Sequence, residues 1–279
     1  MSYTTLVDVA TLAAHLGDPD WLVVDVRHQL ADPGYGERVY GEAHIPGAVF
    51  LHCDRDLSGP MTGSNGRHPL PDAVRLAARL GEIGVGSRTQ VVVYDDAQGM
   101  IAGRLWLLLR WLGHDRVALL DGGLQVWRAA GKPLTQALPA LRPATFMARQ
   151  DDCVVDTAYV QSFLATSRMH LVDARSADRF RGENETLDPV GGHIPGAVNR
   201  FFRDNLQADG CFKSPAELRA EWLAVLAGSS PEQVVHLCGS GVSACLAMLA
   251  MEIAGLPGSR LYAGSWSEWC ADRGRPVAK

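Results

Sequence analysis

The hexapeptide His-Ile-Pro-Gly-Ala-Val occurs twice in this chain of 279 residues, at 44–49 and at 193–198. An apolar run ending in Asp-x-Arg precedes each copy, and these two tripeptides lie at 25–27 and 173–175. Chance does not preserve the order and spacing of motifs in this way, so we infer that the chain consists of two homologous halves. Each half has about 140 residues, an ordinary size for one domain.

The two halves predict two domains joined by a short linker. The segment between them contains proline and shows little apolar periodicity, which is typical of a connecting segment. We therefore place the first domain at 1–135, the linker at 136–152 and the second domain at 153–279.

Strand-like and helix-like segments alternate along both halves. Short runs rich in β-branched residues predict strands at 21–26, 90–95, 116–120, 170–174, 233–237 and 260–262. Longer helix-favouring segments lie at 71–83, 102–113, 215–227 and 244–255. This alternation predicts the α/β class, with a parallel sheet covered by helices on both faces in each half. Ligands of such sheets bind outside the carboxyl ends of the strands.

The repeat separates residues that serve the fold from residues that serve chemistry. His44 and His193 occur in both halves, so we interpret them as structural. Cys238 occurs in one half only, and sequence spacing aligns it with Asp96 of the other half. Because aspartate cannot perform thiolate chemistry, the first domain is predicted to be catalytically silent and the second to be catalytic.

Cys238 begins the stretch Cys-Gly-Ser-Gly-Val-Ser-Ala at 238–244, between a predicted strand and a predicted helix. Backbone N–H groups and the helix dipole at such a turn favour a thiolate over a thiol. The N–H groups predicted to hold the negative charge belong to Gly239, Gly241, Val242 and Ser243. Ser240 is the hydroxyl inside this ring, although a simple turn residue is the alternative reading. A buried structural cysteine would be the alternative for Cys238 in a chain without the repeat.

Composition excludes several classes of function. The chain is 47% hydrophobic and 20% charged with a formal charge of −5, and its basic residues form no stripe, which argues against nucleic-acid binding. Its apolar runs are too short to cross a membrane, and no basic segment precedes Arg27 as a signal peptide would require. We expect a cytoplasmic protein with reduced thiols. Since Cys-x-x-Cys and zinc-ligand spacing are absent, we expect no metal and no cofactor.

Four features together resemble the tandem-domain rhodanese sulfurtransferases: the duplicated α/β half, the repeated His-Ile-Pro-Gly, the Cys238 loop, and Gly-Ser-Trp-Ser-Glu-Trp at 264–269. The loop is most similar to the 3-mercaptopyruvate type, because the thiosulfate type has basic residues in place of Gly239 and Ser240. The resemblance implies that Cys238 takes a sulfane sulfur from a small-molecule donor, 3-mercaptopyruvate or thiosulfate. The resulting persulfide would pass its sulfur to cyanide or to a thiol such as glutathione or thioredoxin.

The resemblance also implies further site residues. An aspartate and a histidine of the silent domain match Asp54 and His68, which would form a relay with Ser240 that manages the proton of the departing enolate. The alternative is that His68 only caps a loop. Arg179 matches an arginine that binds the donor carboxylate, and an exposed arginine without a partner is its alternative.

One family feature is missing from the chain. The family has a second carboxylate-binding arginine shortly before the second His-Ile-Pro-Gly, and no arginine lies between Gly182 and His193 here. Arg181 and Arg200 are the neighbouring arginines that would substitute for it.

Three other functions that use a cysteine are alternatives to sulfur transfer from 3-mercaptopyruvate. A cysteine phosphatase needs an arginine that closes the loop, and Ala244 occupies that position. A thiosulfate-preferring enzyme and a persulfide carrier without fast turnover remain alternatives.

Cys53 and Cys245 are interpreted as packing residues, with a resolving thiol as the alternative.

Overall fold

The computed structural model describes residues 2–164, 166 and 168–279. Two compact units share the chain, and each contains a piece that lies within the other half of the sequence. The first unit consists of Met1–Gly59, Pro71–Asp151 and Ala208–Cys211. The second consists of Pro60–Leu70, Asp152–Gln207 and Phe212–Lys279. The segment Pro60–Leu70 therefore folds with the second unit, although it lies in the first half of the sequence.

The first unit contains a parallel sheet of five strands in the order β1-β5-β4-β2-β3. The strands are β1 Leu6–Val7, β2 Trp21–Asp25, β3 Val49–Phe50, β4 Gln90–Tyr94 and β5 Val117–Leu120. The helices are α1 Val9–Ala14, α2 Tyr35–Glu42, α3 Ala73–Glu82, α4 Ala102–Trp111 and α5 Gly123–Ala129. Every residue of β4 is buried, which requires helices on both faces because alternate side chains point to opposite faces.

The second unit repeats this topology in the order β6-β10-β9-β7-β8. Its strands are β6 Val154–Val155, β7 His170–Asp173, β8 Val198–Asn199, β9 Val234–Leu237 and β10 Arg260–Tyr262. Its helices are α6 Thr157–Phe163, α7 Ala177–Phe180, α8 Pro215–Leu226, α9 Ala244–Ile253 and α10 Ser265–Trp269, with 3₁₀ turns at Phe202–Asn205 and Pro231–Gln233. The predicted class, two α/β domains with parallel sheets, is confirmed.

The central strand β9 is buried on both faces. Val235 and Leu237 belong to a core cluster with Trp266 and Trp269 of α10 on one face. On the other face His236 lies edge-on to Trp222 of α8, with ring centroids 5.5 Å apart. Burial lowers the pKa of His236 to about 3, so this histidine is a neutral core residue at physiological pH.

The repeated motifs serve the fold, as the internal comparison predicted. His44 Nδ1 lies 2.8 Å from Tyr40 O, and His193 Nδ1 lies 2.9 Å from Phe180 O. Both rings also stack on an aromatic neighbour, with centroids 4.0 Å apart for Tyr40 and 3.7 Å apart for Phe180. The two histidines therefore hold equivalent turns in the two units.

All predicted strands and helices exist, within a few residues of their predicted ends. The two-residue strands β1, β3, β6 and β8 were not predicted, because a period of two residues cannot be recognised in so short a segment. The division at 136–152 stays a prediction. Among the described residues, no helix combines the length and the apolar character that crossing a bilayer requires.

Candidate functional site

Cys238 follows β9 directly and lies at the carboxyl edge of the second sheet, 2% exposed. Two hydrogen bonds fix its backbone to α10: the Cys238 N–H donates to Ser265 Oγ at 3.1 Å, and its carbonyl accepts from Trp266 N–H at 3.0 Å. Ser265 adopts a left-handed conformation with φ of 53°, which is unfavourable for a serine. The residue with this strained backbone, Ser265, is therefore the one whose side chain holds the proposed nucleophile Cys238 in position.

The loop after Cys238 presents backbone donors. Within the described part of the chain, no hydrogen bond is made by the N–H groups of Gly239, Ser240, Val242 or Ser243. Gly241 has φ of +74°, and a methyl group there would lie 2.2 Å from Ala263 O, so only glycine fits this turn. A tight loop with unused N–H groups at a helix N-terminus is suited to bind an anion.

Strand register corrects the assignment of Asp96 as the counterpart of Cys238. Asp25 pairs with Tyr94 in the first sheet, and the equivalent Asp173 pairs with Leu237 in the second. The residue after each partner is therefore equivalent, which matches Cys238 with Asp95. Sequence spacing misled the alignment because the loop between strand and helix is one residue longer in the first unit, 95–101 against 238–243 in the second.

In the first unit, the loop equivalent to the Cys238 loop binds the side chain of Asp95. Its buried carboxylate accepts four hydrogen bonds of 2.8–2.9 Å, from the N–H groups of Ala97, Gly99, Ile101 and Ala102. Burial raises the pKa of Asp95, and the four donors oppose that rise. A carboxyl group of the chain itself thus fills the loop of the first unit, whereas the second unit has a thiol at the equivalent position.

We expect Asp95→Asn to destabilise the first unit by about 2–4 kcal/mol, because the amide group would face N–H donors that lose their acceptor. Hydrogen exchange of peptides from β4 and α4 measures this loss. Asp96→Asn is the matched control, since Asp96 accepts from the Tyr35 hydroxyl at the unit's surface and its loss should cost much less. Equal protection in the two variants would contradict the binding of the Asp95 carboxyl group by this loop.

The segment 60–70 brings His68 to the Cys238 loop. His68 Nδ1 lies 2.8 Å from Ser240 Oγ, and both side chains are buried. The segment is anchored next to His68, where Arg67 N–H donates to Ser267 Oγ at 3.1 Å. Gly66 permits this close approach, because a methyl group there would lie 2.9 Å from Gly264 O. The predicted pair of Ser240 and His68 is therefore in hydrogen-bond contact.

Asp54, the predicted third member of the relay, belongs to the first unit. Its carboxylate lies 3.9 Å from His28 Nε2. Its participation in the relay stays a prediction.

Arg179 has partners, so the alternative of an unpaired surface arginine is wrong. Its Nε and Nη2 donate to the Glu185 carboxylate at 3.1 and 2.8 Å, and its Nη2 lies 3.6 Å from Asp188 Oδ2. Burial opposes ionisation of Glu185, but the Leu187 N–H and the Arg179 guanidinium outweigh it and lower the pKa of Glu185. Arg179 is therefore held by a buried carboxylate.

Neither arginine suggested as a substitute lies at this site. Arg181 is exposed and pairs with Glu183, while Arg200 binds Glu221 and lies over the Trp222 ring. Arg67 was not predicted as a site residue, because the only signal for it was its place next to His68 in the sequence.

Three side chains of the first unit that could ligate a metal ion lie close together. His28, Cys53 and Asp54 have ligand atoms within 4.8 Å of one another. Burial raises the pKa of Cys53 to about 12, so without a bound cation the thiol stays protonated. Cys53 is thus a buried packing residue, as is Cys245, whose thiol donates to Gly241 O at 3.3 Å.

Known proteins share both the sequence and the fold of this chain. The sequence profile of the rhodanese-like domain matches residues 8–130 and 156–272. A probable 3-mercaptopyruvate sulfurtransferase of Pseudomonas aeruginosa is 50% identical over 281 residues, covering 100% of this chain and 99% of that protein. A putative thiosulfate sulfurtransferase of Mycobacterium tuberculosis is 37% identical, covering 98% and 96%. The crystal structure of SseA from Escherichia coli, a 3-mercaptopyruvate sulfotransferase, is 33% identical with a TM-score of 0.81, covering 95% and 100%.

Proposed function

Because the chain belongs to the rhodanese family, we propose that it is a sulfurtransferase that takes sulfur from 3-mercaptopyruvate through a persulfide on Cys238. The position of Cys238 supports its assignment as the nucleophile, because Cys238 begins a loop lined by backbone N–H groups. The equivalent loop in the first unit binds a carboxylate. The same N–H groups would stabilise a thiolate before transfer and a persulfide anion after it.

The first half of the reaction moves sulfur onto the enzyme. The Cys238 thiolate attacks the donor sulfur, a sulfur–sulfur bond forms, and the carbon–sulfur bond of 3-mercaptopyruvate breaks. The electron pair of that bond forms the pyruvate enolate, which takes up one proton at carbon to give pyruvate. We assign delivery of this proton to the Ser240 hydroxyl, whose hydrogen bond to His68 supports the assignment, and Asp54 is the proposed third member of the relay.

The second half of the reaction regenerates the thiolate. An acceptor, either cyanide or a thiol such as glutathione or thioredoxin, attacks the outer sulfur of the persulfide. The sulfur–sulfur bond to Cys238 breaks, and its electron pair returns to Cys238 Sγ. Two successive displacements of this kind predict ping-pong kinetics.

The observation that carries the choice of donor is the 2.8 Å hydrogen bond between His68 Nδ1 and Ser240 Oγ. The enolate released from 3-mercaptopyruvate must take up a proton to become pyruvate. A hydroxyl–imidazole pair that supplies this proton therefore assists transfer from 3-mercaptopyruvate. Thiosulfate releases sulfite, a stable anion that needs no proton to leave. The buried pair therefore favours the donor whose leaving group must be protonated.

Steady-state sulfur transfer to a small thiol, measured with each donor in turn, tests the proposal. We expect kcat/KM for 3-mercaptopyruvate to exceed that for thiosulfate by at least about 10²-fold, the lower range for one general acid–base group. A higher value with thiosulfate would contradict the donor assignment. A single turnover followed by no further product would identify a persulfide carrier instead.

A further inference from the structure

Two guanidinium groups converge on Gly239, the residue next to the proposed nucleophile. A methyl group added at Gly239 would lie 2.8 Å from Arg67 Nη2 and 3.4 Å from Arg179 Nη2. The side chains of Arg67 and Arg179 are 25% and 22% exposed, so both remain accessible to a small molecule. The loop itself is uncharged, but its surroundings contain two cations.

One buried carboxylate connects the two arginines. Asp188 Oδ1 accepts from Arg67 Nη1, and Asp188 Oδ2 lies 3.6 Å from Arg179 Nη2. Burial raises the pKa of Asp188, and the Arg67 guanidinium offsets part of that rise. Only 3% of the Asp188 side chain is exposed, so its carboxylate contacts protein groups and little water. The carboxylate therefore holds both guanidinium groups in place.

Each arginine keeps donors that its carboxylate partner does not use. Within the described residues, Arg67 Nη2 and Arg179 Nη1 make no hydrogen bond. The backbone of Arg67 is fixed by its bond to Ser267 Oγ. Two positioned guanidinium groups with spare N–H donors are the usual means of binding a carboxylate in two-point fashion.

We propose that Arg67 is the second residue that binds the donor carboxylate, together with Arg179, and that Asp188 positions both. This inference rests on the proposed function and identifies how the α-keto acid is recognised. It also accounts for the absence of an arginine between Gly182 and His193, because the segment 60–70 supplies the cation instead.

The first test compares donors with and without a carboxylate. In Arg67→Met we expect KM for 3-mercaptopyruvate to rise about 10- to 100-fold, the range for loss of a charged hydrogen bond, with a small change in kcat. Mercaptoacetone, the same thiol and ketone without the carboxylate, should react within about threefold of its rate with the unaltered protein. Arg181→Met is the matched control, since this exposed arginine pairs with Glu183 nearby.

An equal loss with both donors would overturn the role of Arg67, because it would show that the substitution disturbs the site in general. Arg67→Met removes the hydrogen-bond donor of the buried Asp188, so Arg67→Met combined with Asp188→Asn provides a second variant that avoids an uncompensated carboxylate. The same selective loss of 3-mercaptopyruvate binding is expected in this double variant.

A binding measurement separates this inference from the proposed function. Calorimetric titration of Cys238→Ser with pyruvate reports on the carboxylate site without any turnover. We expect Arg67→Met to weaken pyruvate binding about 10- to 100-fold in that background. Unchanged affinity would overturn the inference even if sulfur transfer is confirmed, whereas weakened affinity would support it even if the sulfur donor differs.

Discussion

Cys238→Ser is expected to reduce sulfur transfer from either donor by at least about 10³-fold, the scale seen when an enzyme loses its nucleophile. The serine hydroxyl has nearly the size of the thiol but does not ionise near neutral pH and cannot form a persulfide. The loop should keep its conformation, because the bonds that fix residue 238 to Ser265 and Trp266 involve only its backbone.

Intact-protein mass spectrometry provides a direct readout of this prediction. After incubation with 3-mercaptopyruvate and no acceptor, the unaltered protein should gain the mass of one sulfur atom and Cys238→Ser should not. Cys245→Ser is the matched control: Cys245 is buried seven residues further on, and a hydroxyl can still donate to Gly241 O. Full activity in Cys238→Ser, or equal loss in Cys245→Ser, would refute the mechanism.

His68→Asn is expected to slow transfer from 3-mercaptopyruvate by about 10²-fold, which is the lower range for loss of a general acid–base group. Asparagine can keep a hydrogen bond to Ser240 but cannot exchange a proton near neutral pH. Transfer from thiosulfate should change less than about threefold, because sulfite leaves without protonation. The ratio of kcat/KM for the two donors is therefore the quantity to measure.

Ser240→Ala extends this test to the other member of the pair. It should lower transfer from 3-mercaptopyruvate to a similar extent, and the double variant should lose little more, since residues that act as a unit are not additive. Parallel losses with thiosulfate would instead assign His68 and Ser240 a structural role in the loop.

Much of the fold was accessible from local patterns. Runs such as β4 and β9 are buried on both faces and read as continuous apolar segments, which is the signature of parallel strands. The internal duplication also helped, because each half of the sequence could be compared with the other. The alignment of Asp96 with Cys238 failed where the two loops differ by one residue, since spacing carries no register across an insertion.

The nucleophile was recognisable for the same local reason: Cys238, its strand, its glycine-rich loop and its helix are contiguous in the chain. The imidazole and charged side chains around Cys238 are distant from it in the chain. His68 lies 172 residues from Ser240, and Arg67 lies 121 residues from Asp188. Only the family resemblance indicated that His68 reaches the Cys238 loop, and no pattern within the first half indicates that residues 60–70 fold with the second unit.

The sequence therefore specifies the two α/β units and the thiol that the loop presents. The packing of residues 60–70 decides which cations and which hydroxyl–imidazole pair surround that thiol. The physical reason is the range of the interactions: hydrogen bonds within a loop join neighbours in the chain, whereas ion pairs at this site join residues that only folding brings together.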